Sequence, residues 1–135
     1  EINKLIKKRD FWMPFALSFM NDKQGMVIKN KKGLASPFMT VAFDSMEQNR
    51  HLFFNGMHPY DYTIRPQILS RSTNPAYHDL MQEFFEITKV PAILNTSFNL
   101  HGQPICNTIS DGIDCLRKSG LKFLLIDNIL LEKNE

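Results

Sequence analysis

The chain has 135 residues, 43% of them hydrophobic, and a formal net charge of +2. That length supports a single domain with one core, and the charge is too small to argue for nucleic acid or a membrane surface as a general partner. Cys106 and Cys115 form no Cys-x-x-Cys and have no second pair for a zinc site, the apolar runs fall short of a membrane span, and no signal peptide is visible. A cytoplasmic setting with two free core thiols is expected, a disulfide being the alternative.

The chain begins at Glu1 without an initiator Met, as expected of a piece of a longer protein. Residues 1–8 read as the end of a helix with Ile2, Leu5 and Ile6 on one face, and 14–20 as a strand. Lys7, Lys8 and Arg9 therefore stand at a helix-to-strand junction, before Phe11 and Trp12, which are expected to enter the core. Such a run suits anion capture, since lysine brings a compact charge and arginine a planar fork. It also suits a solvated helix end.

Residues 21–35, rich in Asn, Lys and Gly, read as an exposed connection of low order, and 36–43 as a strand carrying Phe38, Val41 and Phe43. Within 57–67, strand periodicity puts Asp61, Thr63, Arg65 and Gln67 on one polar face, with Tyr62, Ile64 and Pro66 on the other. An arginine at the centre of that face suits an anionic oxygen; a solvent-facing edge strand has the same pattern. His58 reads as a core or surface imidazole.

The clearest helix is 75–89, with Asn74 as N-cap, Pro75 at its first position and a stripe of Tyr77, Leu80, Met81, Phe84 and Phe85 expected in the core. His78 has a capping or surface place. A short buried strand, Pro91 to Leu94, then runs straight into Asn95, Thr96, Ser97 and Asn99, with Gly102 permitting a special backbone shape or a close approach. Ligands bind beyond the carboxyl ends of strands in open α/β sheets, yet the same residues make ordinary hydrogen-bonded turns. Thr108 and Asp111 signal the start of a second helix, through Lys118 and closed by Gly120, with Ile113 and Leu116 inward and Cys115 beside them. Residues 121–126 and 129–131, separated by Asp127-Asn128, read as a hairpin.

Several of these segments, taken in order, resemble the C-terminal, YrdC-like domain of the nodulation-protein-U and cephalosporin-type O-carbamoyltransferases. They are Asn3 with Lys7 to Pro14, Ser36 to Met39, Asp61 to Gln67, Asn74 to His78, Leu94 to Ile105, and Phe123 to Lys133. The Leu-Asn-Thr-Ser-Phe-Asn block with Gly-x-Pro-Ile is the strongest. It is also similar to the Ser-Ala-Asn-x-Ser-Gly motif of YrdC proteins, with Ser97, Asn99 and Gly102 matching and Phe98 and His101 departing. Met13, Gln103, Cys106 and Ser110 stand where the family commonly carries Arg, Glu, Val and Pro.

The resemblance implies an α/β domain over 1–135 with a mixed, twisted open sheet and a concave basic groove. It implies a half-reaction in which ATP, as its Mg2+ complex, and carbamoyl phosphate give carbamoyl adenylate. A separate N-terminal metal-binding domain, absent from this chain, would pass the carbamoyl group to an acceptor hydroxyl. Lys7, Arg9 and Arg65 are the candidates for phosphate and carbamoyl oxygens, and Thr96, Ser97 and Asn99 for the nucleotide. No metal site, membrane or nucleic-acid partner is expected in this chain. The alternative is a non-catalytic nucleotide- or RNA-binding module, in which Lys4, Lys7, Lys8 and Arg9 pair charge with stacking on Phe11 and Trp12.

Overall fold

A computed structural model describes residues 2–10 and 12–134 and divides into two compact units. One is Trp12–Thr96; the other combines the segment 2–10 with 97–134.

In the first unit, β1 (Ala16–Met20) lies between β4 (Pro66–Leu69), to which it is parallel, and β5 (Ile93–Asn95), to which it is antiparallel. Residues 17–20 are all buried, as expected of a central strand covered on both faces. Strand alternation sends Leu17 and Phe19 into one cluster with Val27, Ile28, Phe43 and Ile64. It sends Met20 the other way, onto Leu69 and Met81. Gly56 stands against this strand so closely that a Cβ there would lie 2.3 Å from Leu17 Cγ. No larger residue fits unless Leu17 moves.

The connection 21–35 is more ordered than its composition suggests. A 3-10 turn (Asn21–Lys23) leads into a short helix, α1 (Gln24–Val27), and Val27 and Ile28 are core residues. Two apolar residues decide the path of a polar segment, because burying them outweighs the solubility of their neighbours. Only 31–35 is continuously exposed, closed by Asn30, whose side chain bonds both the N–H and the carbonyl of Leu34.

The strand expected over 36–43 is reduced to β2 (Phe43–Asp44), and Phe38 is 77% exposed. Ser36 explains part of this. Buried, it donates to the Pro66 carbonyl while its own carbonyl accepts from Ile68, so the backbone here serves β4.

The polar strand expected over 57–67 is likewise interrupted. Asp61 accepts from the N–H and Oγ1 of Thr63, Tyr62 takes a left-handed φ of 59°, and β3 (Thr63–Ile64) pairs with β2, in a different sheet from β4. Alternation holds from residue 63 onward, with Ile64, Pro66 and Ile68 buried and Arg65 exposed.

Helix α2 (Pro75–Thr88) forms as expected, with the Asn74 side chain accepting from the Tyr77 N–H and Pro75 in the first turn. Its core stripe is narrower than expected. Met81 is buried, with Tyr77 and Phe85 packed around it, but Leu80 is 51% exposed. Met20 and Leu69 offer one row of apolar contact, which accepts the i, i+4, i+8 row and turns Leu80 away.

In the second unit, a π-helical turn (Asn3–Lys7) is accompanied by α3 (Ile109–Lys118) and a hairpin of β6 (Phe123–Ile126) and β7 (Ile129–Glu132). The two-residue loop at Asp127 and Asn128 begins with a φ of 50°, as right-twisted hairpins prefer. Helix α3 opens with a full capping box. Asp111 N–H donates to Thr108 Oγ1 at 3.1 Å, and Thr108 N–H donates to the Asp111 carboxylate at 2.9 Å.

Cys115 and Leu116 are buried and Ile113 half-buried. Gly120 lies beyond the Ser119 cap; a Cβ there would meet Leu5 Cδ2 at 2.4 Å. Leu124 and Leu131, paired across the hairpin, are half-buried, whereas the pair Leu125 and Leu130 is exposed. The fold class is mixed α/β with small sheets. No helix among the described residues is long and apolar enough to cross a membrane.

Candidate functional site

The N-terminal turn is wider than an α-helix, and this decides which side chain points inward. Lys8 N–H reaches back five residues to the Asn3 carbonyl at 2.7 Å, with Lys8 at a left-handed φ of 45°. The Asn3 side chain brackets Arg9, donating to its carbonyl and accepting from its N–H, both at 2.8 Å. The inward residues become Ile6, 7% exposed, and Lys7, 3% exposed, whereas Leu5 is 38% exposed. An α-helical reading of 1–8 therefore chose the wrong partner for Ile6. The extra residue in the turn rotates the face.

Lys7 Nζ donates to the Ser97 carbonyl, to Ser97 Oγ at 3.1 Å and to Asn99 Oδ1 at 2.5 Å. Ser97 Oγ in turn donates to Asn99 Oδ1 at 2.7 Å, and Asn99 Nδ2 to the Gln103 carbonyl at 2.7 Å. The loop is pinned by Cys106 N–H on the Phe98 carbonyl and His101 N–H on the Ile6 carbonyl. Gly102 supplies a φ of 77° and has no atom within 4 Å of a built Cβ, so it is needed for backbone shape rather than for close approach.

Every acceptor around Lys7 is a neutral oxygen, and among the described residues no carboxylate pairs with it. Burial, and then the positive charge of Arg9, pull its pKa below the ordinary 10.5, with the Cys115 and Cys106 thiols acting in the opposite direction. The turn thus carries two cations close enough to repel, one of them under the surface. That arrangement favours an anion.

The remaining sequence candidates are distributed as follows. Ser97 is exposed, Asn99 and Arg9 are half-buried, and all three belong with Lys7 to the unit of 2–10 and 97–134. Arg65, exposed between β3 and β4, and the half-buried Thr96 belong to the unit Trp12–Thr96. Trp12 is 51% exposed rather than in the core, and Phe11 lies outside the described residues. His58 Nδ1 sits 3.2 Å from Asp61 Oδ1, a turn contact, and His78 Nδ1 is 3.6 Å from Asp79 on α2.

Asn95 has a partner set that sequence reasoning missed. Its Nδ2 donates to Ser18 Oγ at 2.8 Å and to Gln67 Oε1 at 3.0 Å, and Ser18 Oγ also donates to Gln67 Oε1. The three side chains cross all three strands of the central sheet. The available signal was a serine inside the apolar run Ala-Leu-Ser-Phe-Met, which must find a partner once buried. Among the described residues no group of three or more His, Cys, Asp or Glu could hold a metal ion.

A small mixed α/β chain with a buried lysine gripping an Asn-Thr-Ser-Phe-Asn loop finds its match in one family. The family described as Carbamoyltransferase C-terminus covers residues 1–133, and the chain belongs to it. An uncharacterized protein of Methanocaldococcus jannaschii is 35% identical over 133 residues, 98% of this chain and 25% of the relative. Nodulation protein NolO of Bradyrhizobium diazoefficiens is 34% identical over 133 residues, 98% of this chain and 24% of the relative. Nodulation protein NolNO of Sinorhizobium fredii is 32% identical over 133 residues, 98% and 19% respectively. The chain spans a quarter or less of the length of these relatives.

Proposed function

We propose that this chain is the part of an O-carbamoyltransferase that binds MgATP and carbamoyl phosphate and forms carbamoyl adenylate, on a YrdC-like fold with a concave basic groove, in the cytoplasm. Transfer of the carbamoyl group to an acceptor hydroxyl belongs, in this reading, to an N-terminal domain of the same polypeptide. Carbamoyl phosphate gives up its phosphate to water, and the carbamate oxygen so released attacks the α-phosphorus of ATP, expelling pyrophosphate. Negative charge grows on phosphoryl oxygens throughout, so fixed cations and amide donors lower the barrier.

The observation that carries this reading is the buried Lys7 ammonium, held among the described residues by neutral oxygens, with the charge of Arg9 beside it. Lys7 and Arg9 take the phosphate and carbamoyl oxygens. Ser97 Oγ makes a 3.1 Å contact with Nζ and can turn aside to admit an anionic oxygen. Ser97 and Asn99 bind the nucleotide. Arg65 and Thr96 enter the proposal from the family resemblance alone, as a further anion contact and a nucleotide contact.

The test is the full-length protein given MgATP and carbamoyl phosphate, with carbamoyl adenylate sought by mass spectrometry and pyrophosphate by a coupled assay. Formation of the adduct, weakened by Arg9→Ala and Ser97→Ala, is expected. A folded protein that binds MgATP in calorimetry but yields neither product would leave a binding module, and one that binds neither substrate would remove the site.

A further inference from the structure

Cys106 and Cys115 are free thiols to which the chemistry above gives no contact with substrate. Cys115 lies on α3 and is 4% exposed; Cys106, in the loop before that helix, is half-buried. Both line one solvent-connected hollow of about 390 Å³, together with Gln103, Asp111, Asp114 and Lys118. The Cys115 thiol is pushed up first by burial and then by the neighbouring Cys106. Two thiols that line the same hollow and are reachable by a small oxidant form a pair, unlike an isolated core cysteine.

What makes the pair consequential is the backbone of Cys106. Its N–H donates at 2.9 Å to the carbonyl of Phe98, the residue between Ser97 and Asn99, whose side chains meet Lys7. The Phe98 ring lies over α3, where a Cβ on Gly112 would be 3.5 Å from it. Cys106 thus lies on the same run of chain as the Lys7 loop, three residues before α3 begins.

We propose that Cys106 and Cys115 form a reversible disulfide that fastens the Lys7 loop to α3. This does not depend on which anion the loop binds. With hydrogen peroxide as oxidant, the more accessible Cys106 sulfur attacks one peroxide oxygen and gives up its proton. An S–O bond forms, the O–O bond breaks, and the departing oxygen leaves as water after taking a proton. The Cys115 sulfur then attacks the Cys106 sulfur, the S–O bond breaks, and the hydroxyl leaves as a second water with the Cys115 proton. Two thiols are oxidised by two electrons and one peroxide is reduced to two waters; a dithiol reductant reverses the change by thiol–disulfide exchange.

The experiment treats the full-length protein with hydrogen peroxide, maps its peptides without reduction, and follows amide hydrogen exchange over residues 97–106. A Cys106–Cys115 cross-linked peptide that disappears with dithiothreitol, together with at least a several-fold slowing of exchange in that segment, is expected. Cys106→Val and Cys115→Ala should each abolish both changes. If Cys106 is oxidised to sulfinic acid, if the cysteines pair between molecules, or if both remain titratable, there is no such bridge. A bridge that leaves exchange at 97–106 unchanged overturns the fastening of the loop. Because neither readout uses ATP or carbamoyl phosphate, a failed substrate assay leaves this result standing, and the reverse also holds.

Discussion

The chain holds two polar clusters built on different terms. Ser18, Gln67 and Asn95 sit on three paired strands, are all neutral, and satisfy one another within 3.0 Å. Lys7, Ser97 and Asn99 join a π-helical turn to a loop and include a buried charge that, among the described residues, has no carboxylate partner. The first arrangement is neutral throughout and its remaining donor, Gln67 Nε2, reaches the Pro37 carbonyl, which suits a device that fixes strand positions. The second leaves an electrostatic demand unmet, which suits a place where a ligand supplies negative charge. Buried polarity alone does not mark a site. Net charge left unbalanced on a loop is the more telling sign.

If this contrast is right, the charged cluster should be the more sensitive to deletion. Lys7→Met strips charge-assisted bonds from Ser97 and Asn99 and is expected to lower stability by about 1.5 to 3 kcal/mol. Urea titration should reveal the loss, and hydrogen exchange should localise it to 97–103. Lys7→Arg should not rescue it, since a planar fork cannot reproduce the three-way grip of an ammonium.

In the unit Trp12–Thr96 the greatest sensitivity should lie in packing. Gly56→Ala places a methyl group against Leu17, and overpacking of this kind costs about 1 to 3 kcal/mol. Leu17→Ala opens a cavity of its own, but it should cost less in the Gly56→Ala background than alone in thermal melts; a double variant less stable than the unmodified protein by the full sum of the two single changes would mean that the clash is not the cause.

Ser18→Ala is expected to cost only about 0.5 to 1.5 kcal/mol, because Asn95 and Gln67 keep their own bond. A denaturation midpoint lower than that of Lys7→Met would invert the comparison between the clusters.

The smallest effects are in pH dependence. Lys7 has a folded pKa below 10.5, so between that lowered value and 10.5 the unfolded chain binds more protons and stability should rise with pH. Lys7→Met should flatten this rise in chemical denaturation measured across alkaline pH. Anion affinity should fall over the same range as the ammonium loses its charge. Asp111 has the opposite sign of charge: bonds from Asn107 and Thr108 hold its carboxyl below the ordinary 3.8. Its contribution should be present above 3.8 and vanish as pH falls through the lower folded value, and Asp111→Asn should remove that acid-limb dependence.

Where local signals coincide, the sequence is readable. Asn74 followed by Pro75, Thr108 with Asp111, and Asp127-Asn128 between apolar runs each specify a cap or turn through groups a few residues apart. Phe38 and Leu80 were misread for the same reason as each other. A β-favouring residue or a helical stripe is buried only if another element arrives to cover it, and here Ser36 turns its segment toward β4 while α2 meets a single apolar row.

The candidate site divides in the same way. Lys7, Arg9, Ser97 and Asn99 were legible as polar and cationic residues in unusual places, and the family resemblance grouped them. That Lys7 faces inward follows from a five-residue backbone bond and from the Asn3 side chain clasping Arg9, neither of which has a period that sequence reading detects.

By itself, then, the sequence determined α2 and α3 with their N-terminal caps, the hairpin turn and the family, because these depend on near neighbours or on ordered motifs. Tertiary structure alone decided which polar residues became a neutral brace across three strands and which became a charged clasp. The partners of Ser18 lie 49 and 77 residues away and those of Lys7 lie 90 and 92 away, and contacts at such separations exist only once the chain has folded.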